Sequence, residues 1–178
     1  ICITSSQKAL GLPPGLAVCS FSKKAVERAK TVEHRGYYLD LLKLYEFIQK
    51  KPYQYPSTPS LSHMFALDYE LNKMLEEGME NRYKRHIEMA NYVRNWAKKY
   101  FDIFGDQNNL SNTVTAIKNT RGISVADLNK ELGKRGFAIS NGYGKLKEKT
   151  FRIAHMADLT MDDLKELIAN INDILKLQ

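Results

Sequence analysis

Between Ile1 and Ser22 the chain is almost uncharged, with Lys8 as the single charged residue. Ile1-Cys2-Ile3 reads as part of a strand. Leu16 to Phe21 is a continuous apolar run of strand length, the pattern of a strand covered on both faces. Gly11, Pro13, Pro14 and Gly15 punctuate the approach to it and exclude a helix there. Ser22 is a suitable N-cap for a short helix with Ala25, Val26 and Ala29 as its apolar stripe. Residues 35–51 are aromatic-rich and read as mixed helix and loop, and Pro52, Pro56 and Pro59 then impose an extended segment from Tyr53 to Pro59. A helix beginning near Ser60 carries Leu61, Phe65, Tyr69 and Leu71 to about Glu77. Gly78 marks a break or kink. A second helix, Met79 to Tyr100, has Tyr83, Ile87, Ala90 and Val93 or Ala97 on one face.

Beyond residue 100 the periods alternate. Thr113 to Lys118 reads as a strand, and Ser124 caps a helix with Val125, Leu128 and Leu132 inward, stopped at Gly136. Phe137 to Ser140 and Thr150 to His155 read as short strands. Thr160 with Asp163 three residues on resembles a capping box, and the helix it opens buries Leu164, Leu167, Ile168, Ile171 and Leu175. The pattern predicts an α/β chain: residues 79–178 as a small α/β domain, residues 1–78 as the end of a larger one. Because Ile1 is no initiator and opens directly on a strand, the sequence is expected to be a fragment of a longer protein.

Composition narrows the class. The 178 residues, 43% hydrophobic and 26% charged, are those of an ordinary soluble globular protein. No apolar stretch approaches the roughly 20 residues that span a bilayer. Cys2 and Cys19 have neither metal-ligand nor disulfide-framework spacing, so a cytoplasmic setting is the default expectation. The net charge of +7 raises a nucleic-acid-binding module as an alternative. The basic residues are interleaved with acids, as in Glu76 to Arg85, which suits solvated helix faces better.

Lys8 is the first chemical candidate. Ammonium groups resist burial, so a lysine buried in an apolar segment would favour its neutral amine, the form Schiff-base chemistry needs. From composition alone, a lysine that reaches to water from a loop remains the alternative. The residues around it carry more. The run Ser5-Ser6-Gln7-Lys8-Ala9-Leu10-Gly11-Leu12-Pro13-Pro14-Gly15, continuing into an apolar strand that ends Ser20-Phe21-Ser22, closely resembles the lysine segment of class V aminotransferases. Within that family it is most similar to the alanine–glyoxylate and serine–pyruvate (serine–glyoxylate) group. Ser5 stands where the pattern has glycine.

The resemblance, which runs over nearly the whole chain, implies a fold-type-I transferase dependent on pyridoxal 5'-phosphate: the end of its large domain followed by the small C-terminal domain. It implies that Lys8 forms the Schiff base with the cofactor and carries the proton during transamination. It places Gln7 beside the cofactor, and the Tyr55-Pro56-Ser57-Thr58-Pro59 segment as a loop reaching a dimer partner's cofactor phosphate. Tyr55 and Thr58 are the candidate donors, with Tyr53 as the alternative tyrosine. The resemblance also places Arg152, in Thr150-Phe151-Arg152-Ile153-Ala154-His155, at the substrate carboxylate. Strand alternation agrees, since it sets Arg152 and Ala154 opposite Phe151, Ile153 and His155. A guanidinium fork fits a carboxylate through paired hydrogen bonds. His155 is expected to pack. The implied activity is amino-group transfer from a small amino acid to a small 2-oxo acid by a homodimer. A class V lyase, desulfurase or phosphoserine aminotransferase is the nearest alternative. The family's pyridine-nitrogen aspartate, ring-stacking residue and first phosphate-binding turn precede the lysine, and are expected upstream of Ile1.

Overall fold

The glycines and prolines at positions 11–15 return the chain on itself, so that Cys2–Ser5 (β1) and Ala17–Ser20 (β2) pair antiparallel, Cys2 opposite Ser20. The computed structural model describes residues 1–178, which fall into two units, Ile1–Asn72 and Lys73–Gln178. In the first unit Ser22 caps Lys23–Lys30 (α1), its Oγ accepting from Ala25 N at 3.3 Å. Asp40 caps Leu41–Ile48 (α2) and is steadied by Arg35, whose Nε donates to it at 3.0 Å. Helix α3, Leu61–Glu77, runs across the boundary between the units.

The double-sided burial expected of the run from Leu16 is not met. Ile3 is 65% and Val18 41% exposed, because this sheet is only two strands wide and stays accessible on both faces. Leu61, Phe65 and Tyr69 likewise form an exposed i, i+4 stripe on α3.

The second unit is a four-stranded antiparallel sheet, ordered β3-β4-β6-β5, with helices packed on one face. Its elements are Met79–Tyr100 (α4), Asp102–Ile103 (β3), Val114–Lys118 (β4), Val125–Lys134 (α5), Ser140–Asn141 (β5), Thr150–Ala154 (β6) and Met161–Leu175 (α6). Alternation along the strands turns Thr115 and Ile117 of β4, and Phe151 and Ile153 of β6, toward the helices. There they meet Met89, Val93 and Trp96 of α4, Leu128 and Leu132 of α5, and Leu164 and Ile171 of α6 in one core. The Thr160–Asp163 capping box is formed in full. Strand β5 is two residues long and begins at Ser140 instead of Phe137. Phe137 instead packs partly buried against the core, and the Ile139 N–H is taken by Asn129 Oδ1 at 2.8 Å.

Helix α4 buries the expected Ala90, Val93 and Ala97, but its first turns depart from the expected face. Tyr83 and Ile87 are 54% and 44% exposed, while Arg82 and His86 are buried beside Ala90, Val93 and Ala97. Paired charges make this possible. Arg82 Nη1 meets Glu77 at 3.0 Å and Asp158 at 3.4 Å, and His86 Nδ1 donates to Arg82 O at 2.7 Å. Arg85 binds the same Glu77 at 2.6 Å and the carbonyl of Ala157 at 3.2 Å, tying the segment after β6 to the start of α4. These guanidinium groups, Arg85 foremost, hold the Glu77 carboxyl below its usual range.

Candidate active site

Lys8 projects from a turn closed almost entirely by one buried serine. Ser6 Oγ donates to Pro13 O at 2.7 Å and accepts from Leu16 N at 3.3 Å. Its N–H donates to Leu16 O, and its carbonyl accepts from Leu12 N, each at 2.9 Å. Gly11 N donates to Lys8 O at 2.9 Å, and Leu10 is anchored inward. Ser6 is 1% exposed, whereas Gln7 and Lys8 are both exposed. The expected desolvation of Lys8 is therefore absent in this chain: the turn buries its flanks and presents its amine.

A second brace was not anticipated. His63, in the first turn of α3, lies against the Pro14-Gly15 peptide, with Nε2 3.2 Å from Pro14 O and Nδ1 2.8 Å from Ser60 Oγ. A carbonyl can only accept, so Nε2 carries the hydrogen and Nδ1 is free to accept from Ser60. Gly15 has φ +145°, and a Cβ there would stand 2.7 Å from His63 Nε2. Only glycine lets the imidazole approach. The sequence signal was a serine and histidine three apart at a helix start, which by itself says nothing of a partner 49 residues away.

The extended segment before α3 is open to solvent. Tyr53 is 75% and Tyr55 46% exposed, Thr58 is exposed, and residues 53–59 line a shallow concavity of about 540 Å³. Through Ser60 and His63 this segment is tied to the lysine turn of its own chain. Lys8, Gln7, Tyr55 and Thr58 thus all belong to the first unit, and Arg152 to the second.

On β6, Arg152 lies opposite Ala116 of β4 and Ser140 of β5, on the face away from the helices. Its guanidinium carbon is 4.4 Å from the centre of the Tyr143 ring, and Nη2 reaches Asn141 O at 3.5 Å. Nε is buried without a partner. Arg152 is a half-buried cation that meets a ring and a carbonyl but no carboxylate. On the opposite face His155 is fully buried, with Nδ1 3.0 Å from Asn112 O and Nε2 2.8 Å from Thr115 Oγ1. Burial pushes its pKa down to about 4, so it is a neutral packing residue.

The sequence model described as aminotransferase class-V matches residues 1–167. The chain belongs to that family. An uncharacterised aminotransferase of Methanocaldococcus jannaschii is 39% identical over 159 residues, 88% of this chain and 41% of that protein. A serine–glyoxylate aminotransferase of Arabidopsis thaliana is 30% identical over 181 residues, 99% of this chain and 44% of that protein. The crystal structure of an alanine–glyoxylate aminotransferase from Nostoc sp. superposes with a TM-score of 0.87 at 20% identity, over 97% of this chain and 47% of that one, and shows the same fold. The chain thus spans less than half the length of these relatives. No helix is long and apolar enough to cross a membrane.

Proposed function

We propose that the protein is a pyridoxal-phosphate-dependent aminotransferase that moves an amino group from a small amino acid to a small 2-oxo acid. The observation that carries this is the Lys8 turn: a primary amine presented on a loop closed by buried Ser6, in a chain matched by the family over residues 1–167. The serine–glyoxylate relative supports the substrate class. The donor set fits the cofactor, because the exposed Lys8 amine can condense with an aldehyde, and the exposed Gln7, Tyr55 and Thr58 offer neutral donors to a phosphate.

When bound, the cofactor supplies the aldehyde and an electron-withdrawing ring that takes up the charge left as the substrate Cα–H bond breaks. Lys8 would hold the cofactor, and its amine would move the proton between the substrate Cα and cofactor C4′. Arg152, with no carboxylate of its own chain, takes the substrate α-carboxylate. Tyr55 and Thr58, exposed on an extended loop, serve the phosphate of the other subunit in a homodimer, which gives the prolines a role: they keep the loop extended at low entropic cost.

Borohydride reduction of the cofactor-loaded enzyme should leave a pyridoxyl group on Lys8, read by peptide mass spectrometry. Label on a different lysine overturns the assignment. Lys8→Ala should remove transamination and leave a folded protein. Mixing Lys8→Ala with a Tyr55→Phe/Thr58→Ala variant should restore one intact site per hybrid dimer; no recovery of activity on mixing would confine the loop to its own subunit.

A further inference from the structure

We propose that Tyr143 is the positioning residue of the carboxylate clamp, its ring fixing the plane of the Arg152 guanidinium and so setting the affinity for carboxylate substrates. The proposal rests on Arg152 being the carboxylate-binding group.

An arginine projecting from a strand face has several free torsions, and ordering them opposes binding. Of the two β6 residues that share its face, Ala154 is too short to restrain it and Thr150 turns its hydroxyl to Leu146 O at 3.4 Å. Tyr143 restrains it instead, with its ring centre 4.4 Å from the guanidinium carbon. A ring against the flat face leaves the N–H edge unused, and the one hydrogen bond from that edge within the chain, to Asn141 O, is a long 3.5 Å. The arrangement therefore holds the orientation while keeping donors available for a carboxylate.

The ring itself is 77% exposed, and its backbone belongs to the turn between β5 and β6. That backbone is heavily braced. A Cβ at Gly142 would stand 2.1 Å from Leu146 O and 2.5 Å from Thr150 Oγ1, so the turn closes only around glycine. Asn141 Oδ1 accepts from Gly142 N at 2.7 Å and Glu148 N at 2.9 Å. The Glu148 carboxylate accepts from Asn141 Nδ2 and, at 2.7 Å, from Val125 N at the start of α5. A tyrosine flanked by Gly142 and Gly144 is thus carried on a turn held by several side-chain hydrogen bonds. The sequence shows the glycines but not what they aim.

The test uses the intact, cofactor-loaded enzyme with Tyr143→Leu, Tyr143→Phe, Arg152→Ala and the Tyr143→Leu/Arg152→Ala double variant. Loss of a stacked guanidinium should raise the KM of the amino acid and the 2-oxo acid about 3- to 30-fold in Tyr143→Leu. It should leave kcat within about twofold, because the same contact serves ground and transition states. Tyr143→Phe should restore the wild-type KM. In the Arg152→Ala background Tyr143→Leu should add nothing, since its effect passes through the arginine. An unchanged KM in Tyr143→Leu beside a raised KM in Arg152→Ala overturns the role of Tyr143 alone. A wild-type KM in Arg152→Ala overturns the clamp and this proposal together. A Tyr143→Leu effect that persists without Arg152, or a matching fall in kcat that Phe does not rescue, assigns the tyrosine another role.

Discussion

His155 shows how a single side chain is decided by its surroundings. It stands three residues from Arg152 on the same stretch of chain, yet one is fully buried and the other half-exposed, because successive strand residues alternate faces. Its folded pKa of about 4 lies below the ordinary 6.5. The unfolded chain therefore binds the proton first as pH falls. The stability this residue contributes is fully present above about pH 6.5 and is lost progressively down to about pH 4, a loss of about 3 kcal/mol. Thermal melts of the wild type and of His155→Gln across that range should diverge in slope, with the Gln variant the flatter of the two. Parallel curves would place the titration elsewhere. His63, by contrast, works in the open, and replacing it with alanine should loosen the Lys8 turn without touching the core.

At the scale of elements, end signals were more legible than faces. Ser22, Ser124 and Thr160 each cap the helix they open, because a cap needs only groups within one turn. Thr160→Ala removes the acceptor for Asp163 N and should cost about 1 kcal/mol, read as a fall of a few degrees in melting temperature. Thr160→Ser should restore it. The inward face of α4 holds at Ala90, Val93 and Ala97 but not in its first turns, where Arg82 and His86 are buried in place of Tyr83 and Ile87. The burial of Arg82 is compensated by Glu77 and by Asp158, which is 76 residues away and invisible to any local period. Strand β5 was displaced for a similar reason. Phe137 found the core without joining a ladder, and a short apolar run cannot distinguish those outcomes.

Across the whole chain the core is unevenly shared. Every residue of the main apolar cluster lies between Met89 and Ile171, whereas Leu10 is the one buried hydrophobic residue of the first unit. Burial of apolar surface is the main favourable term in folding, so the two units should differ sharply when separated. Residues 73–178 alone should unfold cooperatively on heating, with dispersed amide NMR resonances. Residues 1–72 alone should show no cooperative transition and should bind hydrophobic dyes through Ile3, Phe65 and Tyr69. A cooperative melt from the 1–72 peptide would show that the exposed faces are not its weakness.

From the sequence alone came most of the helices, strands β4 and β6, the capping box, the Gly78 break, the alternation that isolates Arg152, and the likeness that singled out Lys8, Gln7, Tyr55 and Thr58. All of these depend on neighbours a few residues apart or on a continuous motif. Tertiary structure alone decided that Ser6 closes the Lys8 turn from within, that His63 braces it from 49 residues downstream, and that Tyr143 lies on the Arg152 guanidinium. Such contacts arise where the folded backbone brings distant positions within a few ångströms, and no period or spacing along the chain encodes that approach.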